Sequence, residues 1–292
     1  YLRSPATVSQ ISARTAGARM PRADMDFVLS MQMPLPPLDE QRRVVDILSR
    51  AEGILRLRRE AQYKAAELVP AIFLEMFGDP ATNLKGWPKA PLCNVASVIS
   101  GIAKGRRISP GERIEVPYMR VANVKDGYLD LGDVKTIEIR RDELEKLRIE
   151  PGDLLMTEGG DPDKLGRAAL WSGELPVCVH QNHVFKVRTK RTQLTPRYLR
   201  ALVGSHYGKG YFARVAKRTT GIASINKTQL SAFLVLLPPV AIQEQFDQHV
   251  QAVESMLNQQ AVATKATAAT LTALLASVFS RERDQYKMSE HC

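Results

Sequence analysis

Cysteine is nearly missing from this 292-residue chain: Cys93, Cys178 and Cys292 are scattered and form no CxxC pair. Such spacing excludes a disulfide-stapled scaffold and a thiolate zinc site. No apolar run approaches the ~18–20 residues of a membrane span, and no signal-peptide pattern opens the sequence. The cytoplasm is therefore the expected compartment, and a membrane is not an expected partner. The phosphate-gripping pattern GxxxxGK[ST] is absent, since Gly208-Lys209-Gly210 lacks the hydroxyl that would hold magnesium. So is the (Asp/Asn)-Pro-Pro-aromatic motif that grips a flipped base, because both Pro-Pro pairs follow Leu and precede Leu38 or Val240. Acidic residues are in deficit, 31 against 41 Lys plus Arg, for a net charge of +10 and a pI near 9.6. That excess favours a polyanionic partner, with nucleic acid ahead of a membrane surface. An apolar fraction of 44% leaves enough for one large core or two smaller ones.

What is present is an internal repeat. Near the start runs Arg14-Thr15-Ala16-Gly17, then an apolar stretch, then Leu35-Pro36-Pro37-Leu38-Asp39-Glu40-Gln41. Later runs Arg218-Thr219-Thr220-Gly221, then Phe233–Leu237, then Pro238-Pro239 and Glu244-Gln245. In each copy a β-like run ends at a Pro-Pro pair, which cannot continue a central strand, and a long helix follows.

The first helix is expected from about Asp39, as N-cap, to Phe73, with Gly78-Asp79-Pro80 as its stop and Pro70 kinking its last turn. Ile47, Ala51, Ile54, Arg58, Ala61, Ala65, Leu68 and Ile72 alternate at spacings of four and three, a heptad seam interrupted by Arg58. The second helix, expected from about Ile242 to Phe279, carries Val253, Leu257, Gln260, Thr264, Thr267, Leu271, Leu274 and Val278. Each is the matching residue of the first series advanced by 206. One register in both helices implies antiparallel, pseudo-symmetric packing, with Ile47 near Val278 and Arg58 near Thr267. The polar seam positions would fix register at some cost in stability. The competing reading packs each helix on its own globular domain.

Between the helices, β-rich runs such as Val116–Val121 and His183–Val187 are separated by Gly and Pro turns, with helix-like stretches at Arg141–Leu147 and Pro196–Ala216. This is one mixed α/β domain between two long helices.

Pro-Pro, Glu-Gln and a long helix, repeated after an α/β domain, resemble the specificity subunit of Type I restriction–modification enzymes. Leu35–Val45 is similar to the start of that family's central conserved helix, and Leu237–Phe246 to the start of its distal one. The second copy holds two extra residues between Pro-Pro and Glu-Gln. The middle segment resembles a target recognition domain, for example at Gly152–Thr157 and Thr219–Asn226. The resemblance implies four regions: the end of a first recognition domain over 1–34, the central helix over 35–80, a recognition domain over 81–237 and the distal helix over 238–292. Most of a first recognition domain is then missing, and either truncation or a half-sized subunit pairing with a second such chain accounts for it.

The resemblance further implies a non-catalytic chain that binds one half of a split double-stranded DNA target and docks methyltransferase subunits through its helices. A restriction subunit would join them. No cofactor is expected in this chain; S-adenosylmethionine, ATP and magnesium are expected on the partner subunits.

Candidate DNA contacts follow from residue chemistry. His180-Gln181-Asn182-His183 offers four hydrogen-bonding side chains in a row, and Gln and Asn pair bidentately with adenine. His180 and His183 as a zinc pair would lack a third ligand. Lys104, Arg106 and Arg107 occupy a Gly-punctuated loop suited to phosphate or guanine, and Lys164 and Arg167 follow the Gly159-Gly160 turn. Arg214, Lys217, Arg218, Thr219 and Thr220 form a basic, hydroxyl-rich stretch, with Asn226 and Lys227 close behind. For each of these the plain alternative is a solvated surface charge. Two rival functions stand beside the specificity role: a stand-alone nucleic-acid module dimerised by its helices, and a cryptic metal-dependent nuclease built on Asp133-Val134-Lys135.

Overall fold

The computed structural model describes residues 5–15, 22–31, 37–109, 111–160, 165–219 and 221–289. In chain order the elements are α1 (Pro5–Ser12), α2 (Met25–Ser30), α3 (Leu38–Phe77), β1 (Lys89–Pro91), α4 (Leu92–Val95), β2 (Ala96–Ser100), β3 (Arg113–Met119), β4 (Lys135–Arg140), α5 (Leu144–Leu147), β5 (Leu154–Thr157), β6 (Gly159–Gly160), β7 (Ala168–Leu170), β8 (Val179–His180), β9 (Val184–Thr189), α6 (Pro196–Gly204), α7 (His206–Val215), β10 (Lys217–Thr219), β11 (Ile222–Ser224), α8 (Lys227–Ser231), β12 (Leu234–Leu236) and α9 (Val240–Ser289). They divide into two compact units, Glu67–Val253 and Tyr1–Ala66 with Glu254–Cys292. No helix among the described residues is long and apolar enough to cross a membrane.

The α/β unit is built on an antiparallel sheet in the order β2-β9-β5-β7. A second sheet runs β4-β3-β8, with β3 and β8 parallel, and a third runs β10-β11-β6. The strand β5 is buried on both faces, in keeping with its near-continuous apolar run, and β9 is almost as buried although it carries Lys186 and Arg188. The buried ammonium of Lys186 on β9 is satisfied by the carbonyls of Lys146 (2.8 Å) and Arg148 (2.6 Å), and burial lowers its pKa. The adjacent Arg188 forks onto Asp153 at 2.7 and 2.8 Å, so β9 holds the segment after α5 in place.

This unit is larger than the expected 81–237, because the end of α3 and the start of α9 supply part of its core. Phe73 and Phe77 of α3, Tyr198 of α6 and Phe246 of α9 form a buried ring cluster with centroids 4.7 to 5.8 Å apart. Tyr198 also donates its hydroxyl to the Leu236 carbonyl at 3.0 Å. Helix α3 ends where Gly78 adopts φ 76° and its N–H meets the Leu74 carbonyl at 2.8 Å. Lys85 and Trp87 then take the Met76 and Phe77 carbonyls at 2.7 and 3.0 Å. Gln243 roots α9: fully buried, it accepts from the Thr195 N–H at 2.9 Å and donates to the carbonyls of Gln193 and Pro238.

Both long helices exceed their expected limits. Asp39 is not the N-cap: α3 already begins at Leu38, and Asp39 lies in the first turn with Glu40, where carboxylates suit the helix dipole. The single run expected over Pro196–Ala216 is two helices, α6 and α7, separated at Ser205, whose extended backbone caps α7. A helix, α2, precedes the first Pro-Pro pair as α8 precedes the second; the β-like run expected to end at that first pair falls on residues 32–36, which lie outside the described residues. Asp24 caps α2 as Asn226 caps α8, and these caps stand as far apart as the starts of α3 and α9.

In the helical unit α3 and α9 meet antiparallel. Arg58 donates to the Ala263 carbonyl at 2.6 Å and to the Thr267 hydroxyl at 2.5 Å. Ile47 and Ala51 line one concavity with Thr270 and Leu271. Gln260 and Thr264 are half-buried on α9, as is Leu257. Two expected seam residues are more open than a seam requires, Ile54 at 46% and Leu68 at 42% exposure. Ile72 packs against the α/β core, and Val253 is buried. Leu274 and Val278 lie outside the residues whose side chains are described.

Phe246→Ala removes the ring that touches both Phe73 and Phe77 and is expected to cost about 3–5 kcal/mol. Leu234→Ala, at a 43% exposed site, should cost well under half of that. Urea midpoints of the two variants check the difference.

Candidate nucleic-acid interface

Four segments far apart in sequence are stitched together by backbone hydrogen bonds at one edge of the α/β unit. The Ile102 N–H donates to the His180 carbonyl and the Asn182 N–H to the Ile102 carbonyl, both at 2.9 Å. Glu158 donates its N–H to the His183 carbonyl at 2.9 Å, and Ile225 donates to the Glu158 carbonyl at 2.8 Å. Gly159 and Gly160 pair with Ser224 and Ala223 of β11, which pairs in turn with β10. The approach is close enough to select the residue type: a Cβ on Gly101 would lie 2.1 Å from the His180 carbonyl oxygen. Where these segments meet, Val121, Glu158, Gly159, Gly160, His183, Ile222 and Ser224 line an open concavity of about 330 Å³.

The basic candidates lie on the joined segments or close to them along the chain. Lys104, Arg106 and Arg107 are exposed on the loop that leaves the Ile102 bridge. Arg106 is engaged by Glu143 at 2.9 Å, so only part of its charge is available to a ligand. Strand β10 exposes Lys217, Arg218 and Thr219, and Arg214 and Lys227 are also exposed. Arg167 is half-buried at the base of the loop between β6 and β7, its carbonyl accepting from the Thr157 N–H. Lys164 and Thr220 lie outside the described residues.

Two candidates take structural roles instead. His180 is fully buried; its Nδ1–H donates to the Val184 carbonyl at 2.7 Å, and burial drives its pKa down to about 4. A neutral imidazole enclosed on β8 cannot reach a base edge. Asn226 caps α8, accepting from the Gln229 N–H at 2.8 Å while the Gln229 side chain accepts from the Asn226 N–H. Its amide oxygen is therefore committed to the helix start.

The rest of the His180–His183 run forms a turn closed by the Val184 N–H on the Gln181 carbonyl at 2.8 Å. Gln181 and Asn182 are half-buried and His183 is exposed. His183 Nδ1 contacts the Glu158 carboxylate at 2.5 Å, and Asn182 Nδ2 lies 3.2 Å from His183 Nε2. Sequence reasoning missed Glu158, whose only local signal is a carboxylate wedged between the apolar β5 and a Gly-Gly pair. With one histidine enclosed and the other exposed, the two do not converge as metal ligands. Asp133 is held by Arg120 at 2.8 Å, and that hydrogen bond keeps its carboxyl below the usual range. No group of three His, Cys, Asp or Glu side chains that could hold a metal is found among the described residues.

No family model matches the chain. The chain is 27% identical over 135 residues to a Methanocaldococcus jannaschii protein named as the specificity subunit of the type I restriction enzyme MjaX, covering 46% of this chain and 32% of that one. It is 25% identical over 262 residues to the specificity subunit of the Escherichia coli type I restriction enzyme EcoKI, covering 83% of this chain and 55% of the relative. The chain thus matches about half the length of that relative and about a third of the first. The crystal structure of the HsdS subunit from Thermoanaerobacter tengcongensis superposes with a TM-score of 0.51 at 21% identity, over 96% of this chain and 67% of that one.

The state of His180 generates a stability prediction. Its folded pKa lies below the unfolded value, so the unfolded chain takes up the proton first as pH falls. The stabilisation is complete above about pH 6.5 and is lost progressively as pH falls toward about 4, by roughly 3 kcal/mol. Urea unfolding at pH 8 and pH 4.5 should show this loss, and His180→Gln should flatten that part of the pH dependence.

Proposed function

We propose that this chain, a relative of the specificity subunits of Type I restriction–modification systems, reads one half of a split double-stranded DNA target and performs no chemistry itself. The observation that carries this reading is the junction of the basic loop, the Gln181–His183 turn and the exposed basic strand β10, in a chain of net charge +10. Its chemistry suits DNA. Lys104, Arg107, Lys217 and Arg218 are exposed cations that can neutralise phosphates and set the register of the unit on the duplex. The turn between β8 and β9 presents amide and imidazole side chains, the groups that distinguish base pairs in the major groove. Arg106, Arg167, Arg214, Thr219 and Lys227 belong to the same proposed surface, and Lys164 and Thr220 are proposed as DNA contacts from their residue chemistry alone.

The helices have a separate task in this reading. The seam of Ile47, Ala51, Arg58, Thr267 and Leu271 joins α3 to α9 as an antiparallel coiled coil, which leaves outward faces for methyltransferase subunits. S-adenosylmethionine then belongs to those subunits, and ATP and magnesium to a restriction subunit. A second specificity chain would supply the other half-site for a half-sized subunit. The cytoplasm, where cellular DNA and these partners meet, is the proposed compartment.

Two measurements test the proposal. Co-purification with the methyltransferase encoded beside this chain, followed by mapping of methylated sites in genomic DNA, should yield one sequence motif; a bipartite palindrome would mean that two chains pair. Intact DNA binding without any methyltransferase partner would leave only a stand-alone nucleic-acid module. The double variant Lys217→Ala/Arg218→Ala should weaken binding to all sequences alike and reduce the slope of log K against log salt by about 2. An unchanged slope would remove β10 from the interface.

A further inference from the structure

We propose that Asn182 is the specificity-determining side chain of the interface, reading the N6 and N7 edge of an adenine, with His183 and Glu158 as positioning residues that hold its amide. The inference rests on the DNA-reading role proposed above and names the residue that does the reading.

Asn182 sits at the tip of a turn whose backbone is fixed on every side. Its own N–H is held by the Ile102 carbonyl, and the turn is closed by Val184 on Gln181. Gln181 is the rival amide, but it stands where the chain leaves β8, ahead of the tip: its backbone bridges to Ile102, and its N–H donates to the Met119 carbonyl. The side chain of Asn182 is oriented by a relay. A carboxylate only accepts, so in the neutral tautomer of His183 the proton lies on Nδ1, toward Glu158 at 2.5 Å. Nε2 then carries a lone pair, and Asn182 Nδ2, 3.2 Å away, donates to it. With that tautomer the amide nitrogen is the end that meets the imidazole. Asparagine has two N–H donors and one carbonyl oxygen, and the imidazole uses one donor. One N–H and Oδ1 are left, the pair that complements N7 and the N6 amino group of adenine in the major groove. The relay thus prevents the amide from flipping to a base with the opposite pattern.

The test is selection from a random double-stranded oligonucleotide pool by the full chain co-expressed with its methyltransferase, for the unsubstituted protein and for variants. Asn182→Asp replaces the donor by an acceptor, so one adenine of the enriched motif should change to cytosine, whose N4 amino group donates. Asn182→Ala should erase preference at that position, by about tenfold or more, and leave the other positions sharp. Glu158→Ala and His183→Ala should broaden the same position, with Glu158→Gln retaining more of it than Glu158→Ala. A measurement free of any variant accompanies these: 7-deazaadenine at the critical adenine should weaken binding of the unsubstituted protein about tenfold. A motif that is enriched but unmoved by the Asn182 variants and by 7-deazaadenine overturns this inference alone. Failure of the unsubstituted protein to enrich any motif overturns the DNA-reading role and this inference with it. Equal broadening at all positions in Glu158→Ala overturns the positioning role.

Discussion

The four-ring contact among Phe73, Phe77, Tyr198 and Phe246 is the packing on which the α/β unit depends. It ties the end of one long helix and the start of the other to α6, and through the Tyr198 hydroxyl to the β12 backbone. Apolar rings of this size dominate the burial free energy of a small core. The polar fastenings beside them, Gln243 on Thr195 and Trp87 on the Phe77 carbonyl, add direction to that attraction. Two elements that flank the domain in sequence are therefore integral to its fold.

The proposed interface has a different construction. It is assembled by backbone bonds among the segments at Ile102, Glu158, Gln181–His183 and β11, and the side chains at their tips carry little of the fold. The buried ammonium of Lys186 and the Nδ1–H of His180 are directed to backbone carbonyls and away from the surface. This separation of frame from tip is what lets a recognition surface change its target without losing its architecture, since exposed side chains cost little to exchange.

Much of the architecture was legible because it rests on periodic or local signals. The heptad spacing exposed the two helices, and Arg58 stood out as a charge in an apolar series before its contact with Thr267 was seen. The repeat was legible as Pro-Pro and Glu-Gln leading into a long helix, while the short capped helices α2 and α8 were not, since six and five residues carry no periodic signal. The site was read less well. His180 and Asn226 look like ligand-facing polar residues in sequence, yet one is enclosed and one caps a helix, because polar residues also serve to satisfy backbone groups that burial or a helix end leaves open. Glu158 gave no usable signal, as its partner His183 is twenty-five residues away.

By itself the sequence determined the charge, the two amphipathic helices with their shared register, the absence of catalytic motifs and the resemblance to specificity subunits. These follow from composition and from spacings within one element, which chain connectivity preserves. Tertiary structure alone decided which polar side chains face outward, which carboxylate meets which imidazole, and that helix ends belong to the α/β core. Those outcomes depend on strand pairing between distant segments, where a residue's exposure is set by its neighbours in space and no local pattern encodes them.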